Sequence, residues 1–185
     1  MPLTTYTAGE VLTAASLNAN FSFAAANGLV LVKAQTIGTT VSSVTVTDAF
    51  STTYDNYKIS IVGGVGSTNQ DFQLKLGATT TGYYWGANYT NYAGTNTPDG
   101  QINIAYFRAG TYNTNTLGSN MELIAPFLSK PTLINQFLID PSVGGRAGVM
   151  AGYLANNTSY TDFTLTCGGG TITGGTIYVY GYAKA

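Results

Sequence analysis

The side chains available for acid–base chemistry in this sequence are carboxylates, because the chain contains no histidine. Its acidic residues are Glu10, Asp48, Asp55, Asp71, Asp99, Glu122, Asp140 and Asp162. A glycosidase requires two such groups that converge on one sugar at a defined separation. Nearly all of these carboxylates lie beside turns, where an aspartate ordinarily bonds to its own backbone. Glu122 instead lies in a strand pattern, where a lysine across the sheet is a natural partner, and no catalytic pair stands out.

Nucleophilic and metal chemistry find little support in the residue types. The lack of histidine removes the usual general base and the usual zinc ligand, and the single Cys167 cannot form an internal disulfide. Cys167 ends a strand pattern, so we expect a buried, small apolar residue there. The glycine runs 63–66 and 144–148 lack the Gly-Lys-Ser/Thr of a phosphate-binding loop and are typical of hairpin turns. The sequence predicts no metal, no cofactor and no enzymatic activity.

Composition limits the partners of this 185-residue chain, whose length is that of one domain. Only 8% of its residues are charged, against about 25% in an ordinary globular protein, and the 7 basic and 8 acidic residues nearly balance. The surface must therefore be neutral and rich in hydroxyl and amide groups, which favours packing against other copies. Nucleic-acid binding is not expected without a basic patch. No apolar run of about 18 residues predicts membrane insertion, and no signal peptide is evident, so synthesis in a cytoplasm is expected.

The elements that must position these side chains are mostly strands. After Gly28, apolar and polar residues alternate in about ten or eleven short segments separated by turn residues. Typical segments are Tyr57–Ile61, Phe72–Leu76 and Ile177–Tyr182. Helical patterns between the segments are missing, which disfavours a parallel sheet. We therefore predict an all-β domain, an antiparallel sandwich of jelly-roll type.

An aromatic-rich region between Gly77 and Gly100 is the main candidate for contact with a ligand. Its aromatic residues are Tyr83, Tyr84, Trp85, Tyr89 and Tyr92. Part of this region fits a strand, but its glycine, asparagine and threonine content predicts a long, exposed excursion. Tyrosine and tryptophan offer flat apolar faces with a polar edge, which suits contact with a host-surface glycan or receptor. The alternative is that these rings pack on their own sheet or on a neighbouring subunit.

A short helix is predicted before the strands, from about Ala14 to Ala26, with Thr13 or Ser16 as its cap. Residues 7–10, Thr-Ala-Gly-Glu, fit a capping box. The apolar stripe of this segment consists of Leu12, Leu17 and Phe21. A helix of this length is marginal in water, so the stripe needs a partner surface. We therefore divide the chain into a docking or oligomerisation segment, residues 1–28, and a β-sandwich domain, residues 29–185.

Three segments carry a resemblance to a known class of proteins. AGEVLTAASLNANF, residues 8–21, resembles the N-terminal segment of many tailed-bacteriophage fibre and appendage proteins. YDNYKI, residues 54–59, and GTIYVYGYA, residues 175–183, are similar to an early strand and the closing strand of a phage structural domain. The resemblance implies a virion structural protein with a jelly-roll-like sandwich, usually trimeric, without catalytic residues. The chain is shorter than a long fibre and has no coiled-coil or collagen-like shaft, which favours a compact appendage or a capsid decoration protein.

The function expected from this resemblance is that of a non-enzymatic structural protein of the virion. It would form a homotrimer, dock on other virion proteins through its N-terminal segment and present the sandwich to the host surface as part of a tail fibre or appendage. The alternative of the same class is a decoration or fibre protein on the capsid head. A free carbohydrate-binding or glycan-cleaving protein is the alternative of a different class.

Overall fold

The alternating pattern folds as the sequence predicts, into an all-β protein with one short helix near its N-terminus. The structure, a computed structural model, describes residues 5–11, 13–25, 28–140, 142 and 145–184. Strands account for 54% of the chain and helix for 5%, and every strand pairing is antiparallel. The predicted fold class, an antiparallel β-sandwich, is therefore confirmed.

The elements follow one another in the order α1, then β1 to β14. Their bounds are α1 Ala14–Ala25, β1 Leu29–Thr36, β2 Ser43–Val46, β3 Asn56–Val62, β4 Val65–Gly66, β5 Gln70–Leu76, β6 Tyr83–Asn91, β7 Asn96–Ile104, β8 Phe107–Tyr112, β9 Leu117–Ile124, β10 Thr132–Ile139, β11 Arg146–Leu154, β12 Phe163–Cys167, β13 Ile172–Thr173 and β14 Thr176–Tyr182. The two shortest strands, β4 and β13, pair only with each other.

Eight of the strands follow the connectivity of a jelly roll. One sheet has the order β1-β14-β3-β9, and the facing sheet has the order β2-β12-β5-β8. The first strand, β1, is thus the neighbour of the last, β14, and β2 is likewise the neighbour of β12. This is the connectivity of a pair of Greek keys. The short hairpin pairing of β8 with β9 joins the two sheets at one edge.

Two further hairpins, β6–β7 and β10–β11, widen the first sheet. The hairpin β10–β11 pairs with β9, and β6 pairs with β11, so the order continues as β9-β10-β11-β6-β7. The first sheet therefore has eight strands, from β1 to β7, and β7 is a free edge. Its inner residues face the core, and we call its other side the outer face.

The core lies between the sheets and is built from alternate residues of nearly every strand. Strand β8 is buried along its whole length. On β6 the inner positions are Tyr83, Trp85, Ala87 and Tyr89, all buried. Cys167 lies buried at the end of β12 with a free thiol, as the sequence predicts. The inserted hairpins are thus part of the main hydrophobic core and not a surface addition.

The predicted exposed excursion between Gly77 and Gly100 is wrong for most of its length. Residues 83–91 form β6, and Pro98–Gly100 lie inside β7. Proline is tolerated in β7 because this strand is the sheet edge, where one side needs no backbone donor. The pattern that indicated a strand is that Tyr83, Trp85 and Tyr89 occupy alternate positions of the chain, as the buried residues of a half-buried strand do.

The helix α1 begins at Ala14, as predicted, and ends within one residue of the predicted position. Thr13 is its N-cap, because the Thr13 Oγ1 accepts a hydrogen bond of 3.2 Å from the Ser16 backbone N–H. Thr7 and Glu10 make the contacts of a capping box, with the Glu10 carboxylate 3.1 Å from the Thr7 backbone nitrogen. These contacts close a turn, however, and the helix starts one turn later along the chain.

Candidate functional site

The five aromatic residues proposed as a ligand contact do not form one surface. Tyr83, Trp85 and Tyr89 point inward from β6 and are 0%, 8% and 3% exposed. Tyr84 points to the outer face and stacks on Tyr153 of the neighbouring β11, with ring centroids 5.0 Å apart. Tyr92 lies in the β6–β7 turn, where its hydroxyl donates a hydrogen bond of 3.0 Å to the Asp140 carbonyl. The pleat of one strand separates residues that are adjacent in sequence.

Tyr83 connects the hairpin β6–β7 to the second sheet. Its hydroxyl accepts a hydrogen bond of 2.8 Å from the backbone N–H of Leu76, and its ring meets Phe107 edge-on, with centroids 4.8 Å apart. Burial raises the pKa of Tyr83 to about 12. Because the hydroxyl has a backbone partner and no access to solvent, Tyr83 holds the fold and does not contact a ligand.

Raised tyrosine pKa values predict a loss of stability at alkaline pH. The pKa is about 12 for Tyr83 and Tyr112, raised chiefly by burial, and for Tyr182, raised first by its hydrogen bond to Glu122. An unfolded tyrosine ionises near pH 10, so the folded state keeps protons that the unfolded state releases between about pH 10 and 12. The contribution of these tyrosines to the free energy of unfolding is therefore fully present below pH 10 and decreases as the pH rises to 12.

Thermal unfolding between pH 8 and 12, with tyrosinate absorbance at 295 nm, measures this effect. We expect the variant Tyr83→Phe to lose less stability above pH 10 than the wild type, by a difference on the order of 2 kcal/mol. Simultaneous titration of all 14 tyrosines near pH 10 in the folded protein would contradict the prediction.

A buried arginine joins the two sheets at the edge where β5, β7 and β8 meet. Arg108 on β8 is 3% exposed, and its Nη2 lies 2.7 Å from Asp71 on β5. Its Nη1 lies 3.3 Å from Asp99 on β7. The Tyr89 hydroxyl also donates to Asp99, at 3.3 Å, and the Arg146 guanidinium lies 4.2 Å from the Tyr89 ring centroid. We call Arg108, Asp71, Asp99 and Tyr89 the Arg108 cluster.

Electrostatics keep the Arg108 guanidinium charged despite its burial. Burial works to lower the pKa of the Arg108 guanidinium, but the charge of Asp71 and its hydrogen bond outweigh this, and the pKa is raised overall. No local sequence pattern indicates the cluster, because Asp71, Asp99 and Arg108 lie on three strands that come together only in the folded protein. Asp71 does lie beside a turn, as the second residue of β5, whereas the prediction is wrong for Asp99, which lies in the middle of β7.

A polar cleft of about 330 Å³ opens beside the Arg108 cluster. Its polar and aromatic lining residues are Gln70, Asp71, Phe72, Gln73, Trp85, Asp99, Gln101, Tyr106 and Arg108. Two buried donors among them, Trp85 Nε1 and Arg108 Nε, have no hydrogen-bond partner in the described part of the chain. A buried polar group left without a partner costs about 1–3 kcal/mol, so each such group requires an explanation.

Glu122, the one acidic residue expected within a strand, lies on the outer face. Lys58 of β3 is its direct neighbour in register, as the strand pattern predicts. Its hydrogen bond, however, comes from the hydroxyl of Tyr182. Lys58, Glu122 and the amides of Asn120 and Asn135 line a shallow groove of about 580 Å³. The lining of this groove also includes Asp99 and Phe137, so it carries one positive and two negative charges.

Exposed apolar side chains cluster on the outer face. Phe137 is 69% exposed and lies opposite Val149, which is 53% exposed, while Leu133 lies opposite Tyr153. Together with Ile139, these residues form what we call the outer apolar patch. Contiguous apolar surface of this kind marks a place where another molecule packs.

The stripe predicted on α1 is also exposed. Leu17 is 39% and Phe21 64% exposed, and no strand packs extensively against the described part of α1. The third predicted docking residue, Leu12, lies outside the described residues, as does the predicted end of the helix at Ala26.

The chain was compared with protein-family models, curated proteins and solved structures. No family model matches the chain, and neither a curated protein nor a solved structure matches it.

Among the described residues, no three acidic, cysteine or histidine side chains gather where they could hold a metal ion. No helix in the described ranges has the length and apolarity needed to cross a membrane.

Proposed function

We propose that this chain is a non-enzymatic structural protein of a bacteriophage virion. It forms a homotrimer, docks on another virion protein through its N-terminal segment and presents the β-sandwich to the host surface. The three segments that resemble phage appendage proteins support the virion assignment. The sparse charge of the surface supports close contacts between neutral subunits.

The observation that carries the proposal is that the apolar side of α1 is exposed. A helix of 12 residues is marginal alone, yet Leu17 and Phe21 are exposed and no strand of the same chain covers them extensively. Burying each of these side chains is worth about 1.5–3 kcal/mol, which is enough to stabilise the helix once it finds a partner. In a cyclic trimer each helix meets its neighbour through a heterologous contact that closes the ring.

Two further observations agree with a structural role. The outer apolar patch offers a second surface for subunit contact. The carboxylates that do converge, Asp71 and Asp99, are both bonded to Arg108. A general acid or base in a glycosidase must instead face the sugar, so this ion-paired arrangement supports a protein without hydrolytic activity.

Assembly is tested by placing charge on the exposed stripe. We expect the double variant Leu17→Asp/Phe21→Asp to convert a trimer into a monomer, because two carboxylates cannot be desolvated in a helix interface without partners. Light scattering on a size-exclusion column, at micromolar concentration, measures the molar mass. Far-UV circular dichroism and the melting temperature check that the sandwich, which α1 does not cover, remains folded.

The control is Ala15→Asp/Ala19→Asp, which adds the same charge to the same helix, with the same spacing of four residues, on the side opposite the stripe. This variant is expected to remain a trimer. A monomeric wild-type protein would refute the proposed assembly. If the Leu17/Phe21 variant is still a trimer, the helix is not the assembly element, and Phe137→Asp in the outer apolar patch then tests the remaining surface.

The position on the particle distinguishes the tail from the head. We expect antibodies against the sandwich to label the tail or its appendages in electron micrographs of intact virions. Labelling spread over the capsid would replace the appendage role with that of a head decoration protein. A protein missing from purified virions would refute both.

A further inference from the structure

The polar cleft beside the Arg108 cluster is formed by residues from four strands. Gln70, Asp71 and Gln73 come from β5, Trp85 from β6, Asp99 and Gln101 from β7, and Arg108 from β8. Gln101 lies opposite Trp85 in the β6–β7 pairing, and Gln73 lies opposite Arg108 in the β5–β8 pairing. The cleft is therefore held by paired strands of both sheets and is preformed in the folded chain.

The amide side chains of the cleft are free to bind. Gln70, Gln73 and Gln101 form no side-chain hydrogen bond within the described part of the chain. Each amide carries both donors and an acceptor. A ligand that presents several hydroxyl groups, each of which donates and accepts, matches such a set.

Two donors, on the Trp85 and Arg108 side chains, lie beside the cleft. Trp85 is 8% exposed and Arg108 3% exposed, and their Nε1 and Nε groups lack partners among the described residues. Both side chains line the cleft. Each of these N–H groups has less than 1 Å² of accessible surface, so both lie behind the wall of the cleft, and the groups that a ligand can reach are the amides and the carboxylates.

Charge and size restrict the ligand further. The cleft contains two carboxylates, Asp71 and Asp99, and one guanidinium, so its net charge is negative and an anionic ligand is disfavoured. Its volume of about 330 Å³ is at the small end of ligand pockets. Tyr106, half-buried in the lining, adds a flat apolar face next to these polar groups.

We propose that the polar cleft binds one neutral sugar unit, such as the terminal residue of a surface glycan. The amides and the carboxylates contact its hydroxyls, and Tyr106 packs on its C–H surface. The site deepens the proposed attachment role and rests on it for the source of the glycan, which is the host surface. Of the aromatic residues first considered for such contact, only Trp85 lines this cleft.

Binding is measured on the full-length protein with glucose, galactose, mannose and N-acetylglucosamine as probes. Trp85 is the single tryptophan of the chain and lines the cleft, so its fluorescence reports occupancy. Saturation-transfer NMR on the same samples detects binding that leaves the fluorescence unchanged. We expect at least one neutral sugar to bind saturably in the millimolar range and to be preferred over glucuronic and N-acetylneuraminic acids.

The variants Gln73→Ala and Gln101→Ala remove amides without touching the ion pairs. Each is expected to weaken binding about tenfold, the loss of one or two hydrogen bonds. The matched control is Gln35→Ala, the same substitution at a half-buried position on β1, at the opposite edge of the first sheet from β7, with affinity expected to be unchanged. Melting temperatures within about 2 °C of the wild type show that the variants remain folded.

Three results would overturn the inference. They are no saturable binding of any neutral probe up to ~100 mM, tighter binding of the acidic sugars, or equal affinity in wild type and the two cleft variants. The molar mass of the same samples separates this inference from the proposed assembly. A trimer that binds no sugar refutes the cleft alone, whereas a monomer that binds sugar refutes the assembly and leaves a free carbohydrate-binding protein.

Discussion

Replacing Arg108 with alanine is expected to lower the free energy of unfolding by about 3 kcal/mol. The substitution removes a guanidinium that is 3% exposed and that bonds Asp71 and Asp99 on two other strands. Both carboxylates then face each other across the cleft without a counter-charge. Because their side chains are 38% and 37% exposed, water compensates part of the loss, which places the effect at the lower end of that for buried ion pairs.

Equilibrium unfolding in urea measures the effect, and two variants act as controls. Arg108→Lys keeps the charge but replaces the planar fork with a single ammonium group, which cannot reach both carboxylates in the same way, so we expect partial recovery. Asp99→Asn retains hydrogen-bonding atoms at a partly exposed position and is expected to cost less than about 1 kcal/mol. A loss below 1 kcal/mol for Arg108→Ala would show that the cluster does not hold the sheets together.

Gly152→Val is expected to destabilise the protein by about 3 kcal/mol or to prevent folding. A Cβ at Gly152 of β11 would lie 2.4 Å from the backbone oxygen of Tyr84 and 2.7 Å from the Cβ of Trp85. These atoms belong to the paired strand β6, and their positions are fixed by its backbone, so no side-chain rotation can relieve the clash. The strands β6 and β11 would separate, and with them the hairpin that supplies Trp85 to the core.

Gly86→Val is the matched control on the adjacent strand. No atom lies within 4 Å of a Cβ built at Gly86, which is exposed on the outer face. Valine favours strand conformation more than glycine does, so the melting temperature is expected to stay the same or rise. Equal destabilisation by both substitutions would mean that the two strands do not approach as closely as their register indicates.

The fold class followed from the sequence because alternation with period two is a local property. Segments such as Tyr57–Ile61 and Phe72–Leu76 show it without interruption, and both are strands. The strand β6 was missed because Gly86 and Asn88 occupy its outer face, where burial demands no apolar residue. Its inner residues, Tyr83, Trp85 and Tyr89, still carried the signal.

The helix was equally accessible from the sequence. Thr13 caps α1 by a contact within one turn, and the positions of Leu17 and Phe21 on one side of the helix follow from its period. What covers this side depends on other molecules. The sequence therefore supports the docking prediction and the structure leaves those side chains exposed, while the trimer stays a prediction.

The site residues show where sequence reasoning ends. The sequence by itself determined the alternating strands, the capped helix and a surface with few charges, since each depends on residues close together in the chain. Only the tertiary structure decided that Asp71, Asp99 and Arg108 meet beside Gln73 and Trp85. Those residues come from four strands whose neighbours are set by the jelly-roll connectivity and the two inserted hairpins. Such long-range pairing depends on the packing of the whole core, which no local pattern encodes.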